Sequence, residues 1–313
     1  MSNDSWPSLR LEEWQDTYAT LHMWTQIVGK IRLAQTPLIN HWWNVPLYVT
    51  ARGLTTSPMP YRDCNFQIDF DFIDHQLVIA LNDGCTASIP LKPRSVAEFY
   101  REVMHTLAGL GIEVKIWPVP VEVQDPIPFE LDEKNASYDK EYAKRFWQVL
   151  VRADEVFTDF RSRFIGKVSD NNFYWGSFDL AVTRFSGRRA PEREGADVIT
   201  REAYSHEVIS HGFWPGVRAA GPVGKSASNG MIHEAAFYSY TAPEPTGLSG
   251  ANIHPEKAFY STTMKEFIML YDDVRTAPDP KHALLDFMQS TYEVGANLAK
   301  WDRTTLERQQ DHR

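Results

Sequence analysis

Residues 65–73 alternate strictly between apolar and polar side chains, and this pattern limits the possible folds more than any other stretch of the chain. The apolar positions are Phe66, Ile68, Phe70 and Phe72. Successive side chains of a strand point to opposite faces of a sheet, so the pattern predicts a strand with one buried face. Asp69 and Asp71 are then expected on the solvent side.

Long helices are predicted around the strand-rich stretches. Residues 12–33 carry apolar side chains over about half of a helix circumference, which indicates a largely buried helix. Ser95-Val-Ala-Glu98 has the spacing of a capping box and predicts the start of a second helix, and residues 138–164 follow helical spacing. Further strands are predicted at 45–52, 76–81, 87–91, 112–117, 173–185, 203–210 and 235–241, and further helices from Thr263 and Asp279. This order predicts an α+β fold, with antiparallel sheets, or one continuous sheet, flanked by long helices.

A Pro-rich, acidic stretch at 118–133 is the predicted boundary between two lobes. We expect an N-terminal α+β lobe over residues 1–125 and a C-terminal α+β lobe over 126–313, packed as a single globule. Asn40-His-Trp-Trp and Asn171-Asn-Phe-Tyr-Trp each precede a predicted strand, which suggests two pseudo-repeated halves of helix, strands and helix. Strands that resemble each other only in aromatic composition are the alternative.

The net charge of -9 argues against a nucleic-acid or anionic-membrane partner, because such partners bind basic patches. Cys64 and Cys85 are the two cysteines, too few for a disulfide framework. The first residues lack the apolar segment of a signal peptide, and no apolar run approaches the length of a membrane span. We therefore expect a cytoplasmic protein with no membrane partner.

Two motifs resemble known catalytic sites but lack the required context. Residues 219–226 fit the Walker A pattern with alanine in the first position, yet no strand precedes them and no helix follows. His206-Glu207-Val-Ile-Ser-His211 is one residue longer than the zincin motif. On a helix its two histidines would lie about 140° apart and could not share a metal. We expect neither a metal nor another cofactor.

The remaining candidates are polar side chains within aromatic stretches. His206 is a candidate general base, because imidazole titrates near neutral pH, and Glu207 or Asp179 would orient it. We expect His206 and His41 to face one cavity between the halves. The candidate ligand-binding residues are His22, Lys30, His41, Trp43, Arg52, Arg184, Tyr238 and Tyr240. Lys30, Arg52 and Arg184 are expected to bind an anionic group of the ligand. For His22 and Lys30 the alternative is the solvated flank of a helix, and for Asp179 it is the solvent face of a sheet.

Four long stretches, at 21–30, 40–50, 205–216 and 237–245, resemble a bacterial family known only as a domain of unknown function. The resemblance covers nearly the whole chain and implies no activity. It singles out the polar residues within those stretches, which are His22, Gln26, Lys30, Asn40, His41, His206 and Glu207.

These observations favour a small-molecule-binding protein or an enzyme. Its pocket would lie between the halves, lined by aromatic and histidine side chains, and would hold a small polar or anionic molecule. The alternative is a protein-interaction or chaperone-like module without catalytic activity. Polar side chains that converge in a pocket would favour the first, and an exposed aromatic patch without such convergence the second.

Overall fold

The computed structural model of the chain describes residues 5–216 and 232–309. The first half contains helix α1 (Leu11–Gln35), strands β1 (Tyr48–Val49), β2 (Gly53–Thr55), β3 (Met59–Tyr61), β4 (Cys64–Asp71), β5 (Gln76–Leu81) and β6 (Thr86–Pro90), and helix α2 (Val96–Gly109). The second half contains α3 (Lys140–Ser162), β7 (Asn172–Tyr174), β8 (Asp179–Arg189), α4 (Val198–Ala203), β9 (His206–Trp214), β10 (Ala236–Ala242), β11 (Phe259–Ser261), β12 (Glu266–Leu270), α5 (Tyr271–Arg275), α6 (Pro280–Leu298) and α7 (Arg303–Leu306). The mixed α+β class is therefore confirmed.

The first sheet has the strand order β1-β2-β4-β5-β6, with β3 paired to β4, and its pairs are all antiparallel. The alternation in β4 is confirmed, because its apolar side chains are buried while Gln67, Asp69 and Asp71 are half-buried on the other face. The predicted capping box is also present: the Ser95 side chain accepts from the Glu98 backbone N–H, and the Glu98 carboxylate accepts from the Ser95 backbone N–H. Both predictions hold because their signals are local to a few residues.

The second sheet is antiparallel and has the order β11-β12-β10-β9-β8-β7. One face packs against α3 and α6. On this face His211 of β9 lies 4.7 Å from the ring of Phe160 in α3 and hydrogen-bonds Thr291 of α6. These two long helices therefore cover only one face of the sheet. The side chains at alternate positions, such as the neighbours of His211 in β9, lie on the opposite face.

The two sheets meet edge to edge. Leu47, which precedes β1, and Phe173 of β7 form an antiparallel bridge in which each backbone N–H donates to the other residue's carbonyl at 2.9 Å. The Trp175 indole N–H donates to the Val45 carbonyl beside this bridge. One continuous hydrophobic core runs through both halves, from Trp6 to Trp301. Helix α1 lies within it, and its Trp24 stacks on Phe99 of α2 at 4.4 Å.

Several expectations are corrected by the structure. Residues 112–117 form no strand, and 173–185 is a hairpin of β7 and β8 rather than one strand. The stretch from Thr263 is a turn followed by strand β12, which pairs with β10 and buries Phe267, Ile268 and Met269. The two sheets differ in strand order, so the pseudo-repeat is not confirmed. The Walker-like residues 219–226 lie outside the described residues.

No helix within the described ranges combines the length and the apolar character needed to cross a membrane.

Candidate functional site

The face of the second sheet that points away from α3 and α6 is a row of polar and aromatic side chains. Cross-strand partners share a face, and the register aligns Thr183 with Ser210 and Tyr240, and Ala181 with Gly212 and Tyr238. Thr183, Tyr238 and Tyr240 are half-buried, whereas residues of the opposite parity are fully buried. We call this surface the polar face.

Tyr238 lies flat across the polar face because β9 has a glycine beneath it. A side-chain carbon at Gly212 would stand 2.3 Å from the hydroxyl and ring atoms of Tyr238, so no larger residue fits without moving the ring. In this orientation the Tyr238 hydroxyl donates to one carboxyl oxygen of Asp179, and the Ser177 hydroxyl donates to the other. Because Gly212 of β9 has no side chain, Tyr238 of β10 can extend across β9 and reach Asp179 of β8.

Asp179 is 7 % exposed, and its hydrogen-bond partners in the described part of the chain are hydroxyl groups rather than cations. Burial raises its pKa, against the opposing effect of these hydrogen bonds. Burial and the neighbouring Asp179 raise the pKa of Glu266 to about 7, and the same two causes raise the pKa of Glu122. Ser177, Asp179, Tyr238, Glu266 and Glu122 form what we call the carboxyl–tyrosine cluster.

A second tyrosine extends the polar face towards β9's first residue. Tyr240 stacks on Tyr238, with ring centroids 6.2 Å apart and planes 12° from parallel. Its hydroxyl lies 3.0 Å from that of Tyr204, two residues before His206. Tyr240 and Tyr204 also pack with Trp43 against Phe185, Val208 and Ala242. The carboxyl–tyrosine cluster is thus continuous with the region around Trp43.

His41 and His206 lie beside this aromatic group, with ring centroids 5.6 Å apart. The two rings are thus as close as the predicted shared cavity requires, and the cavity itself stays a prediction. His41 is buried in a short turn with a left-handed backbone, and its Nδ1–H donates to the carbonyls of Glu202 at 3.1 Å and Ala203 at 3.3 Å. These bonds fix the tautomer and leave His41 Nε2 as an acceptor.

Lys167 supplies the proton that His41 Nε2 accepts, at 2.6 Å. Its ammonium group also lies over the rings of Trp43, at 5.2 Å, and Phe185, at 4.9 Å. The backbone N–H of Phe185 donates to the Lys167 carbonyl, which fixes the lysine beside β8. Burial lowers the pKa of Lys167, and burial followed by the charge of Lys167 lowers the pKa of His41.

Arg189 pairs with His206 across β8 and β9. Burial and then the charges of Lys167 and Arg189 lower the pKa of His206. The His206 Nδ1 atom lies 3.0 Å from the Ser205 hydroxyl oxygen. His41, Lys167, His206 and Arg189 come from four separate segments of the chain, and we call them the histidine–lysine cluster.

The residues expected to orient His206 lie elsewhere. Glu207 points to the opposite side of β9, where its carboxylate accepts from Ser186 and Arg188, and Arg188 also donates to the carbonyls of Ala299 and Lys300 at the end of α6. Asp179 is ten residues from Arg189 along β8, roughly 30 Å at the usual rise of a strand. Neither carboxylate acts on His206, and Glu207 instead ties the sheet to α6.

Two of the expected anion-binding cations are also outside the polar face. Arg52 is exposed and ion-paired with Asp71 at 2.7 Å and Asp74 at 2.6 Å on the first sheet. Arg184 is fully buried on the helix-covered face, where its guanidinium lies over Phe160 and Tyr292 and donates to the Phe160 carbonyl. Burial lowers its pKa to about 9. Both side chains are occupied by structural contacts.

His22 and Lys30 lie on α1 beside the turn between β7 and β8. The His22 Nε2 atom donates to the Gly176 carbonyl at 2.8 Å, and burial lowers the pKa of this imidazole to about 4. Lys30 is buried 6.0 Å from the ring of Trp175, and burial lowers its pKa. His22 therefore holds the turn that carries Ser177 and Asp179.

Five members of the two clusters were not predicted as site residues from the sequence: Ser177, Arg189, Lys167, Glu266 and Glu122. Lys167, Glu266 and Glu122 lie in stretches that read as a surface loop, a helix start and a connector. Their partners are distant in sequence, Lys167 being 126 residues from His41. The sequence around Lys167, which precedes β8, contains no local pattern that would indicate its contact with His41.

No group of three or more His, Cys, Asp or Glu side chains in the described ranges is arranged to hold a metal ion. Comparison with known proteins finds the model of a family of unknown function, DUF5996, which matches residues 6–308. No curated protein and no solved structure matches the chain.

Proposed function

The chain belongs to this family of unknown function, and we propose that it binds a small polar molecule on the polar face of the second sheet and exchanges protons with it through Asp179 and Glu266. The observation that carries the proposal is the Tyr238 ring lying over Gly212 to reach the buried Asp179 carboxyl.

Burying a carboxyl group without a cation is costly, and among the described side chains the cost is offset by two hydroxyl donors. A buried carboxyl group with a pKa raised by burial is a feature that clusters at functional sites, so its presence here favours a chemical role. Asp179, Tyr238 and Ser177 also hold one another in a fixed geometry, as a site for proton transfer requires.

Glu266 gives this site a group that titrates near neutral pH. A general acid or base is most effective when its pKa is near the working pH, and the pKa of Glu266 is about 7. Glu266 and Tyr238 are half-buried rather than enclosed, so a small molecule resting on the tyrosine rings would meet both groups. The rings of Tyr238 and Tyr240 supply the apolar contact area, and the carboxyls and hydroxyls supply the polar contacts.

The convergence of polar groups on one face favours this role over an interaction module. Large exposed apolar side chains do occur, for example Leu38 and Val198 at 58 % and 61 %. Two others are aromatic, Trp117 at 71 % and Phe259 at 41 %. Trp117 follows α2 and Phe259 lies on β11, and single exposed apolar residues are ordinary on protein surfaces.

The proposal is tested by screening small polyols, amines and hydroxy acids for ligands that raise the melting temperature. A ligand of the polar face should stabilise the wild-type chain, and Tyr238→Phe and Asp179→Asn should each weaken its binding at least about tenfold, the loss expected of one hydrogen bond to a charged group. Asp71→Asn, on the first sheet, is the matched control and should bind as the wild type does. A ligand bound equally by all four proteins would contradict the proposal.

A further inference from the structure

The histidine–lysine cluster concentrates positive charge in a chain whose net charge is -9. Lys167 and Arg189 both lie close enough to His206 to lower its pKa. Neither cation forms an ion pair within the described residues. The neighbouring Arg188, by contrast, is bound to the Glu207 carboxylate at 2.6 Å.

The hydrogen-bonding capacity of the cluster is only partly used. An ammonium group has three donors and a guanidinium five. Lys167 donates one hydrogen bond, to His41, and Arg189 donates none to another described residue. His206 Nε2 has no partner in the described part of the chain, because the contact of this ring is through Nδ1. At least two cationic groups and one imidazole edge therefore remain for a ligand.

The cluster is held in place before any ligand arrives. The Nε2 atom of His41 fixes the Lys167 ammonium, and the carbonyls of Glu202 and Ala203 fix His41 in turn. The rings of Trp43 and Phe185 restrict Lys167 further. Pre-organised donors bind more tightly because less side-chain entropy is lost on binding.

We propose that the histidine–lysine cluster binds the tetrahedral oxyanion of a phosphorylated small molecule, with Lys167 and Arg189 as its cationic ligands and His206 at its edge. A phosphate monoester carries a charge of about -1.5 to -2 at neutral pH, which matches two cations better than the single charge of a carboxylate does. Lysine and arginine are the side chains that proteins use for phosphate groups. This inference does not depend on the role proposed for Asp179 and Glu266.

The test uses inorganic phosphate as the probe and acetate as the comparison. Binding is followed by titration calorimetry and by the imidazole signals of His41 and His206 in NMR spectra, each assigned through a His→Asn variant. Melting temperatures are not used, because phosphate stabilises most folded proteins by exclusion from their surface. Phosphate should shift both imidazole signals, and acetate should bind at least tenfold more weakly.

Lys167→Met keeps an apolar stem of similar length on Trp43 and Phe185 but removes the charge, and it should weaken phosphate binding at least tenfold. Arg189→Gln, at an exposed position, should do the same and keeps the test valid if the lysine variant does not fold. Lys115→Met removes one charge from an exposed lysine in the first half and should bind as the wild type does. Phosphate binding that is unchanged in both cluster variants, or equally weakened in the Lys115 variant, would overturn the proposal. So would acetate affinity equal to that of phosphate.

Discussion

The solvent-facing side of the first sheet and the polar face of the second both carry carboxyl groups, but these groups lie in different electrostatic surroundings. On the first sheet, Asp69 accepts from the Gln67 amide, and Asp71 is bound by Arg52. On the second sheet, Asp179 is bound only by hydroxyl groups among its described hydrogen-bond partners, and Glu266 lies near it. Apolar residues fill every second position of β4, whereas the helix-covered face of the second sheet also includes Arg184, His211 and Ser239.

The pKa shifts of Asp71 and Asp179 run in opposite directions. Burial raises the pKa of Asp71, but the Asp74 backbone N–H and the Arg52 guanidinium outweigh it, so the net shift is downward. At Asp179 burial outweighs the hydrogen bonds, and the net shift is upward. A carboxyl group with a cation beside it is part of a solvated surface, whereas one buried without a cation marks a candidate site.

The largest expected effect that separates the two faces is the pH dependence of stability. The folded chain holds a proton on Glu266 up to a pH of about 7, whereas an unfolded glutamate loses it near its usual value of 4.5. The stability that this group contributes is therefore full below pH 4.5 and falls as the pH rises through 7, by at most about 3 kcal/mol. Urea unfolding at pH 5, 6, 7 and 8 should show this loss in the wild type and a flatter profile in Glu266→Gln. Parallel profiles for the two proteins would show that Glu266 titrates normally.

The next effect concerns the glycine under Tyr238. Gly212→Ala places a carbon where the ring now lies, so the ring must move and its bond to Asp179 is lost. We expect a loss of about 1–3 kcal/mol in the free energy of unfolding, the usual cost of overpacking. Gly109→Ala, in the last turn of α2 with no atom near the added carbon, is the control. It should leave stability unchanged or raise it by up to about 1 kcal/mol. Equal stability of both variants would mean that the Tyr238 ring is free to move.

The smallest effect is expected on the first sheet. Arg52→Ala removes the ion pairs with Asp71 and Asp74, which are exposed to solvent on the arginine side. Exposed ion pairs contribute little to stability, so the melting temperature measured by circular dichroism should barely change. A loss as large as that of Gly212→Ala would remove the distinction drawn between the two faces.

Much of the fold was predictable because its signals are local. Helix α1, strands β4 and β5 and the Ser95 cap follow from spacing within a few residues. The failures share one cause, which is tertiary packing. Thr263-Met-Lys-Glu266 resembles a capping box, but the following residues pair with β10 and become β12. The aromatic run 173–185 turns at residues 175–178, where the Phe178 backbone N–H donates to the Tyr174 carbonyl and His22 donates to the Gly176 carbonyl.

The candidate site was predictable only in part. His41 and His206 lie close together, as a shared cavity requires, but the duplication that partly motivated this expectation is not confirmed by the strand orders. Tyr238 and Asp179 were each chosen from a strand face, but their hydrogen bond depends on Gly212 in a third strand. Lys167 and Glu266 could not be found, because their surroundings are assembled only when distant strands pair.

Leu47 and Phe173, which join the two sheets, are 126 residues apart in the chain. At a synthesis rate of about 5–20 residues per second, the ribosome makes β7 roughly 6–25 s after Leu47. During this interval the edge of the first sheet at β1 has no partner strand. Unpaired edge strands are the elements through which unfinished chains associate with one another. The edge strand that is unpaired during this interval is β1, and it is only two residues long. A short edge offers few backbone groups to a neighbouring nascent chain, so the brevity of β1 protects the protein during its own synthesis.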